Sequence, residues 1–335
     1  MRGSTWGFDQ LLGQEKNIEV IKKSISKGTL AHALLITGPP GSGKSSLALL
    51  IAQALNCVQK TEAPCEACLS CRKIKEGNHA DVAVVEPEER SIKIDPLREV
   101  KKRFIYYPQE QGTRVCLIED AHCLTPAAAA ALLKIVEEPP DKLVFLLTTP
   151  YPSRLPSTIL SRCQHYLMQR VDDIEMEEYL REISPGAAES EIALAKNLSE
   201  GLPGRARNII LNEVWGERRE IVYNVGEKLL SPEISERELL EEAKRWVERE
   251  DLAQLLEMLS HYFKDGMIWK LSKDSSQLFD KDLHEFWMKY KIDAMNLKSC
   301  LELINDTRKM LLTNVNKLLA VENLFLQIRG RIFNV

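Results

Sequence analysis

The chain lacks any long apolar run: stretches such as Leu143–Leu147 fall far short of the ~20 residues that a membrane-spanning helix needs. It does not open on a charged-then-apolar leader either, so it reads as a soluble, cytoplasmic protein with no membrane partner. An excess of one charge is missing as well. Asp and Glu number 49 against 45 Lys and Arg, for a formal net charge of −4. That balance excludes a chain basic overall, as a small histone-like DNA binder would be, but not a local basic face. Internal repeats and low-complexity tracts are absent. What is present is bulk: 335 residues, 44% of them apolar, enough for two or three domains with sizeable cores, which argues against disorder.

Up to about Gln169, short apolar runs alternate with helical patterns. Strands are expected at Ala33–Thr37, Asp81–Glu86, Arg114–Glu119 and Leu143–Thr148, and helices at Lys16–Lys27, Lys44–Asn56, Ile94–Phe104 and Pro126–Glu137. Apolar runs without alternation, separated by helices, predict an α/β domain over 1–169 whose parallel sheet is covered on both faces. Thr125-Pro126 is an N-cap followed by a first-turn proline, and Glu138-Pro139-Pro140 is a stop. After about Arg170 everything reads helical, with turns at Ser184-Pro185-Gly186 and Ser231-Pro232. Two all-helical domains are therefore expected, 170–231 and 232–335, the latter a bundle with leucines in its core.

Gly38-Pro-Pro-Gly41-Ser-Gly43-Lys44-Ser45 matches the phosphate-loop pattern directly after an apolar strand and before a helix. Its glycines let backbone N–H groups turn toward phosphate oxygens, and the helix N-terminus adds partial positive charge. Lys44 would reach the β/γ-phosphates of ATP and Ser45 would hold Mg²⁺, with Gly38, Gly41, Gly43 and Ser46 completing the nucleotide-binding set. The strand Val115–Ile118 ends in Glu119-Asp120. In P-loop ATPases the first acid there sits beside Mg²⁺ and the next orients the attacking water. With aspartate second, the catalytic carboxylate is one methylene short, and displacements of about 1 Å can cost ~100-fold in rate.

Of eight cysteines, four fall at Cys57, Cys65, Cys68 and Cys71. Four thiolates at this spacing suit a tetrahedral site for structural Zn²⁺ that folds a polar insert at 57–71; an iron–sulfur cluster or free thiols are the alternatives. His79 nearby reads as an ordinary polar loop residue, and Cys116 as a small hydrophobe in a strand. Lys101-Lys102-Arg103, followed by Phe104, Tyr106 and Tyr107, reads either as a DNA-contacting patch with stacking rings or as a solvated helix face beside core aromatics.

The order of the P-loop, the four-cysteine insert, Ile118-Glu119-Asp120-Ala121, Leu132-Leu133-Lys134-Ile-Val-Glu137-Glu138-Pro139-Pro140, Thr148-Thr149 and Ser161-Arg162-Cys163 resembles the bacterial DNA polymerase III clamp-loader family, nearest to its delta-prime subunits. The resemblance is dense in the first half and rests on length and class in the second. It implies a RecA-like AAA+ domain with a zinc module, an all-helical lid over 170–231, and an all-helical C-terminal collar over 232–335 through which subunits pair. It also implies roles. Arg162 would be an arginine finger acting in trans on a neighbouring ATP site, Thr149 a sensor-1 residue with Thr148 the near alternative, and Arg205 of Gly201-Leu-Pro-Gly204-Arg205 the sensor-2 arginine. Motor subunits of gamma/tau type usually carry Asp-Glu where this chain has Glu119-Asp120, and Ala130 stands where the family often has asparagine.

Two functions follow from the resemblance. The first is a delta-prime-like subunit that helps load the sliding clamp on primed DNA, within a hetero-oligomeric ring with gamma/tau and delta subunits, and hydrolyses little ATP itself. The second is an active AAA+ motor of gamma/tau type.

Overall fold

Runs of Leu, Ile and Val at 33–37, 114–118 and 143–149 are buried at every position, which is the condition for strands sandwiched between helical layers. In the computed structural model, which describes residues 7–59, 63–104, 112–211, 214–311, 313 and 315–333, they form β1 (Ala33–Thr37), β3 (Arg114–Ile118) and β4 (Leu143–Thr149). Two short edge strands complete the sheet, β2 (Val82–Val85) and β5 (Gln164–Leu167). The order is β2-β3-β4-β1-β5, and all pairs are parallel.

Successive side chains go to opposite faces. Leu34, Ile36, Val115, Leu117 and Leu146 pack with α1 (Glu15–Ser26), α2 (Lys44–Asn56) and Ile74 of α3 (Leu69–Lys75). Leu35, Cys116, Ile118, Phe145 and Leu147 pack with α4 (Ile94–Arg103), α5 (Pro126–Glu137) and α6 (Ser157–Leu160). The predicted parallel sheet covered on both faces is thus observed. Cys116 is fully buried, and burial pushes its thiol up to about 12. The Thr125 hydroxyl accepts the Ala128 N–H at 3.3 Å and starts α5.

By contacts the chain divides into two units, Met1–Met176 with Gly201–Arg205, and Glu177–Glu200 with Ala206–Val335. The second is entirely helical among the described residues; α7 (Asp173–Ile183), α8 (Glu189–Ser199) and α9 (Pro203–Leu211) come before its central bundle in the chain, and α13 (His284–Lys289) adds Trp287 to the bundle core. Its core joins α10 (Val214–Leu230), through Val222, Val225 and Leu229, to α11 (Glu236–Val247), α12 (Leu252–Ser272), α14 (Ala294–Met310) and α15 (Lys317–Phe333). Trp246, Phe263, Trp287 and Phe325 are buried at its centre. The turn expected at Ser231-Pro232 lies between α10 and α11, which share that core. Among the described residues no helix is long and apolar enough to cross a membrane.

The basic stretch has a structural role. Phe104 is buried, and the Arg103 guanidinium donates to the carbonyls of His79, Ala80 and Val82. Lys102 pairs with Glu99 at 2.9 Å on the exposed face of α4. Tyr106 and Tyr107 lie outside the described residues.

Candidate functional site

In a parallel sheet the ligand crevice lies beyond the carboxyl ends of the strands, where the chain reverses its direction of travel across the sheet. β1 is that point, flanked by β4 and β5. Gly38–Gly43 leaves its end and turns into α2, whose first residue is Lys44. The Lys44 ammonium is mostly buried and donates to the Pro39 carbonyl at 2.9 Å. Burial lowers its pKa, opposed by the carboxylates of Asp120 and Glu119.

β3 delivers the acids to the same crevice. Burial pushes the Glu119 carboxyl up, and a hydrogen bond from the Ser45 hydroxyl pulls it back down; Glu86 and Asp120 add to the rise and Lys44 opposes it. The predicted Mg²⁺-side pair, Ser45 and Glu119, thus lies on the same side of the crevice, near enough for Ser45 to act on the Glu119 carboxyl. Asp120 adopts a left-handed backbone (φ 46°), half-exposed at the mouth, and its N–H donates to Thr148 Oγ1 at 3.3 Å. Thr149 is fully buried, with Oγ1 3.2 Å from His122 Nδ1 and accepting the Tyr151 N–H at 3.0 Å. Both threonines thus flank the acids, one through the Asp120 backbone and one through His122. His122 was not singled out in the sequence. Its Nδ1 lies 3.8 Å from Asp120 Oδ1, and burial lowers its pKa against the pull of that carboxylate.

Arg205 also reaches the loop. Gly204 N–H donates to Gly41 O at 2.9 Å, and a Cβ on Gly41 would stand 3.1 Å from Arg205 N. Gly41 has φ +82°, and a Cβ on Gly204 would meet Gly41 O at 3.0 Å. The two glycines thus let one backbone lie against the other. Gly204→Ala obliges the Gly41 carbonyl to give by a few tenths of an ångström and, on the phosphate-loop reading, should weaken nucleotide binding; titration of the variant with a fluorescent ATP analogue checks this, and an unchanged affinity contradicts it. Ser46 lies half-buried one residue into the helix behind Ser45.

Arg162 is not part of this crevice. β5 starts beside the beginning of β1, with Gln164 opposite Leu34, so Arg162 lies at the amino edge of the sheet while the P-loop leaves its carboxyl edge. Four strand residues, or about 13 Å, separate the two levels. The guanidinium is exposed, held by Glu137 Oε1 at 2.8 Å and by the Thr158 carbonyl at 2.9 Å. Cys163 next to it packs against the core, and burial pushes its thiol up to about 11.

The sulfur atoms of Cys57, Cys65, Cys68 and Cys71 all lie within 4.8 Å of one another. A tetrahedral zinc–thiolate site needs sulfurs about 3.8 Å apart, from Zn–S bonds of about 2.3 Å, so the donor set fits a metal ion. Cys57 closes α2, Cys68 caps α3, and the N–H groups of Cys65, Cys68 and Cys71 donate to the sulfurs of Cys57, Cys65 and Cys68. Burial pushes the Cys71 thiol up; at Cys68 burial is outweighed by donated hydrogen bonds, which bring it down to about 6. His79, expected as an ordinary polar loop residue, lies in the loop between α3 and β2. It is buried, its Nδ1 accepts the Asp81 N–H at 3.1 Å, and its Nε2 lies 3.0 Å from Ser70 Oγ, which ties α3 to the start of β2.

The family described as "DNA polymerase III, delta subunit" matches residues 13–172. The chain is 33% identical to the DNA polymerase III subunit delta' of Bacillus subtilis over 217 residues, 62% of this chain and 66% of that protein. It is 27% identical to the tau subunit of the same organism over 300 residues, 82% of this chain but only 52% of that protein, so it spans about half of tau. A solved structure of a DNA polymerase III gamma subunit-related protein from Thermotoga maritima shares the fold, with a TM-score of 0.50 at 20% identity over 94% of this chain and 99% of that one.

Proposed function

Since the chain belongs to the DNA polymerase III clamp-loader family, we propose that it is a delta-prime-like subunit that binds ATP, hydrolyses little of it, and supplies Arg162 in trans to the ATP site of a neighbouring motor subunit. In this reading residues 170–231 form a lid and 232–335 a collar. The partners are gamma/tau-type and delta-type subunits in a cytoplasmic ring that places the sliding clamp on primed DNA. The observation that carries the reading is the position of Arg162: exposed at the edge of the sheet opposite the P-loop, it is out of reach of its own nucleotide, which supports a role at a site on another chain.

In this reading Lys44, Ser45 and Glu119 would hold ATP with Mg²⁺, and Gly38, Gly41, Gly43 and Ser46 would shape the loop around it. Arg205 would report on the bound phosphates from the helix that follows Gly201, and Thr149 from the end of β4. Asp120, one methylene shorter than glutamate, is poorly placed to orient water, and this is the reason for expecting little turnover. The four cysteines are read as holding structural Zn²⁺, which would cross-link the end of α2 to α3.

The intact phosphate loop and the similarity to tau favour a second reading, an active gamma/tau-type motor. Steady-state ATP hydrolysis by the purified chain separates the two. Negligible turnover alone, appearing only in a ring with a gamma-type subunit, is the expected result; robust turnover by the isolated chain, lost on Lys44→Ala, would establish the motor reading instead.

A further inference from the structure

We propose that Glu137 is a positioning residue for Arg162: through its carboxylate it holds the guanidinium in the orientation from which it meets a neighbouring chain's nucleotide. The proposal deepens, and rests on, the reading of Arg162 as a trans-acting finger. α5 ends at Glu137 because Pro139 and Pro140 cannot extend it, so this side chain projects from the last turn of the helix at the edge of the sheet where Arg162 emerges. Its Oε1 takes Arg162 Nη2 at 2.8 Å, while Nη1 donates to the Thr158 carbonyl at 2.9 Å and approaches Ser161 Oγ at 3.4 Å.

The two anchors come from different helices, and each is fixed to the same core, α5 by Leu132 and Val136 and α6 by Ile159. A long, rotamer-rich side chain is thereby held in one fork geometry before any partner arrives, which lowers the ordering cost of the encounter. Folding alone gives no reason for the pair. Its side chains are 39% and 41% exposed, and ion pairs that exposed contribute little to stability.

The same carboxylate would act as a latch if it had to release the arginine before a phosphate could bind. The donor arithmetic favours positioning: a guanidinium has five N–H donors, and Glu137, Thr158 and Ser161 engage at most three. Contact with a phosphoryl oxygen and contact with Glu137 are compatible.

The test is ATP hydrolysis by a ring reconstituted from the full chain with gamma-type and delta-type subunits, comparing Glu137→Ala, Glu137→Gln and Arg162→Ala. Glu137→Ala is expected to lower kcat at the site that Arg162 serves about 10-fold, the penalty of a slightly misplaced group, with KM for ATP and the melting temperature of the chain unchanged. Glu137→Gln keeps an acceptor oxygen and should retain at least about half of kcat, since the bond geometry survives the loss of charge. A kcat for Glu137→Ala equal to wild type, or above it as a latch demands, overturns the proposal. So does a fall in kcat matched by a fall in melting temperature that glutamine does not rescue. If Arg162→Ala itself leaves turnover intact, the finger reading fails and this inference with it, an outcome distinct from a silent Glu137 beside an essential Arg162.

Discussion

Arg162→Ala should lower ATP turnover at the one motor site that its proposed trans role serves about 1000-fold or more, the usual worth of a finger that neutralises charge developing on the transferred phosphoryl group. That corresponds to about 4 kcal/mol of transition-state stabilisation. The same substitution should leave the chain itself almost untouched. The arginine makes one half-exposed ion pair and hydrogen bonds to Thr158 and Ser161, so alanine costs at most ~1 kcal/mol of stability, and Glu137, left behind, is solvated rather than stranded. Affinity of the chain for ATP at its own P-loop should stay at the wild-type value, because the two sites sit on opposite edges of the sheet. Hydrolysis by the ring, nucleotide titration of the isolated chain and thermal melting together check this. A ring whose turnover at that site survives the substitution would show that the motor site is complete without this chain.

The second large effect concerns the cysteines. The purified chain should contain one zinc per molecule by elemental analysis, and Cys71→Ser or strong chelation should remove it and unfold the 57–81 insert while the sheet persists. Apart from Cys57, Cys71 and Ile74 the insert contributes few buried apolar side chains, too few to offset an ordering cost of roughly 1–2 kcal/mol per residue. Structural zinc typically supplies about 10–16 kcal/mol of binding free energy, and that energy folds the site. Gln53 donates to Cys71 O at 2.9 Å, and Ser70 Oγ lies 3.0 Å from His79 Nε2, which adds polar ties from α3 to α2 and to the start of β2. Each is worth about 1 kcal/mol net, far less than the metal would supply. Amide exchange across Leu69–Lys75 should accordingly become fast in the metal-free chain, while β1, β3 and β4 stay protected. Full protection of α3 without metal, or a chain that carries no metal as purified, would contradict this.

Most of the first unit was legible in the sequence because its elements are buried on both sides and its helices carry their own signals. β1, α2 and α5 have the expected limits. β5 escaped because Gln164-His165-Tyr166-Leu167 is a four-residue edge strand with one buried position, and such a strand has neither an apolar run nor a clear alternation. α3 escaped because seven residues crowded with Lys, Arg and Cys form a helix only where Gln53, His79 and the other cysteines surround them. The phosphate loop and the acids were readable as local words. The approach of Gly204 to Gly41, the hydrogen bond of Thr149 to His122 and the pairing of Glu137 with Arg162 span 163, 27 and 25 residues of chain and exist only in the folded sheet.

The parallel sheet gives the molecule a head and a tail. With the phosphate loop leaving one edge and Arg162 emerging at the other, the trans-acting role proposed above requires unlike edges of two subunits to meet. Repeated head to tail, such a contact runs in one rotational sense, each subunit lending its amino edge and borrowing at its carboxyl edge. An arc of such subunits that does not close has two unlike ends, one with an arginine unused and one with a nucleotide site uncompleted. On that reading the place of this chain in an arc is set by direction as well as by affinity.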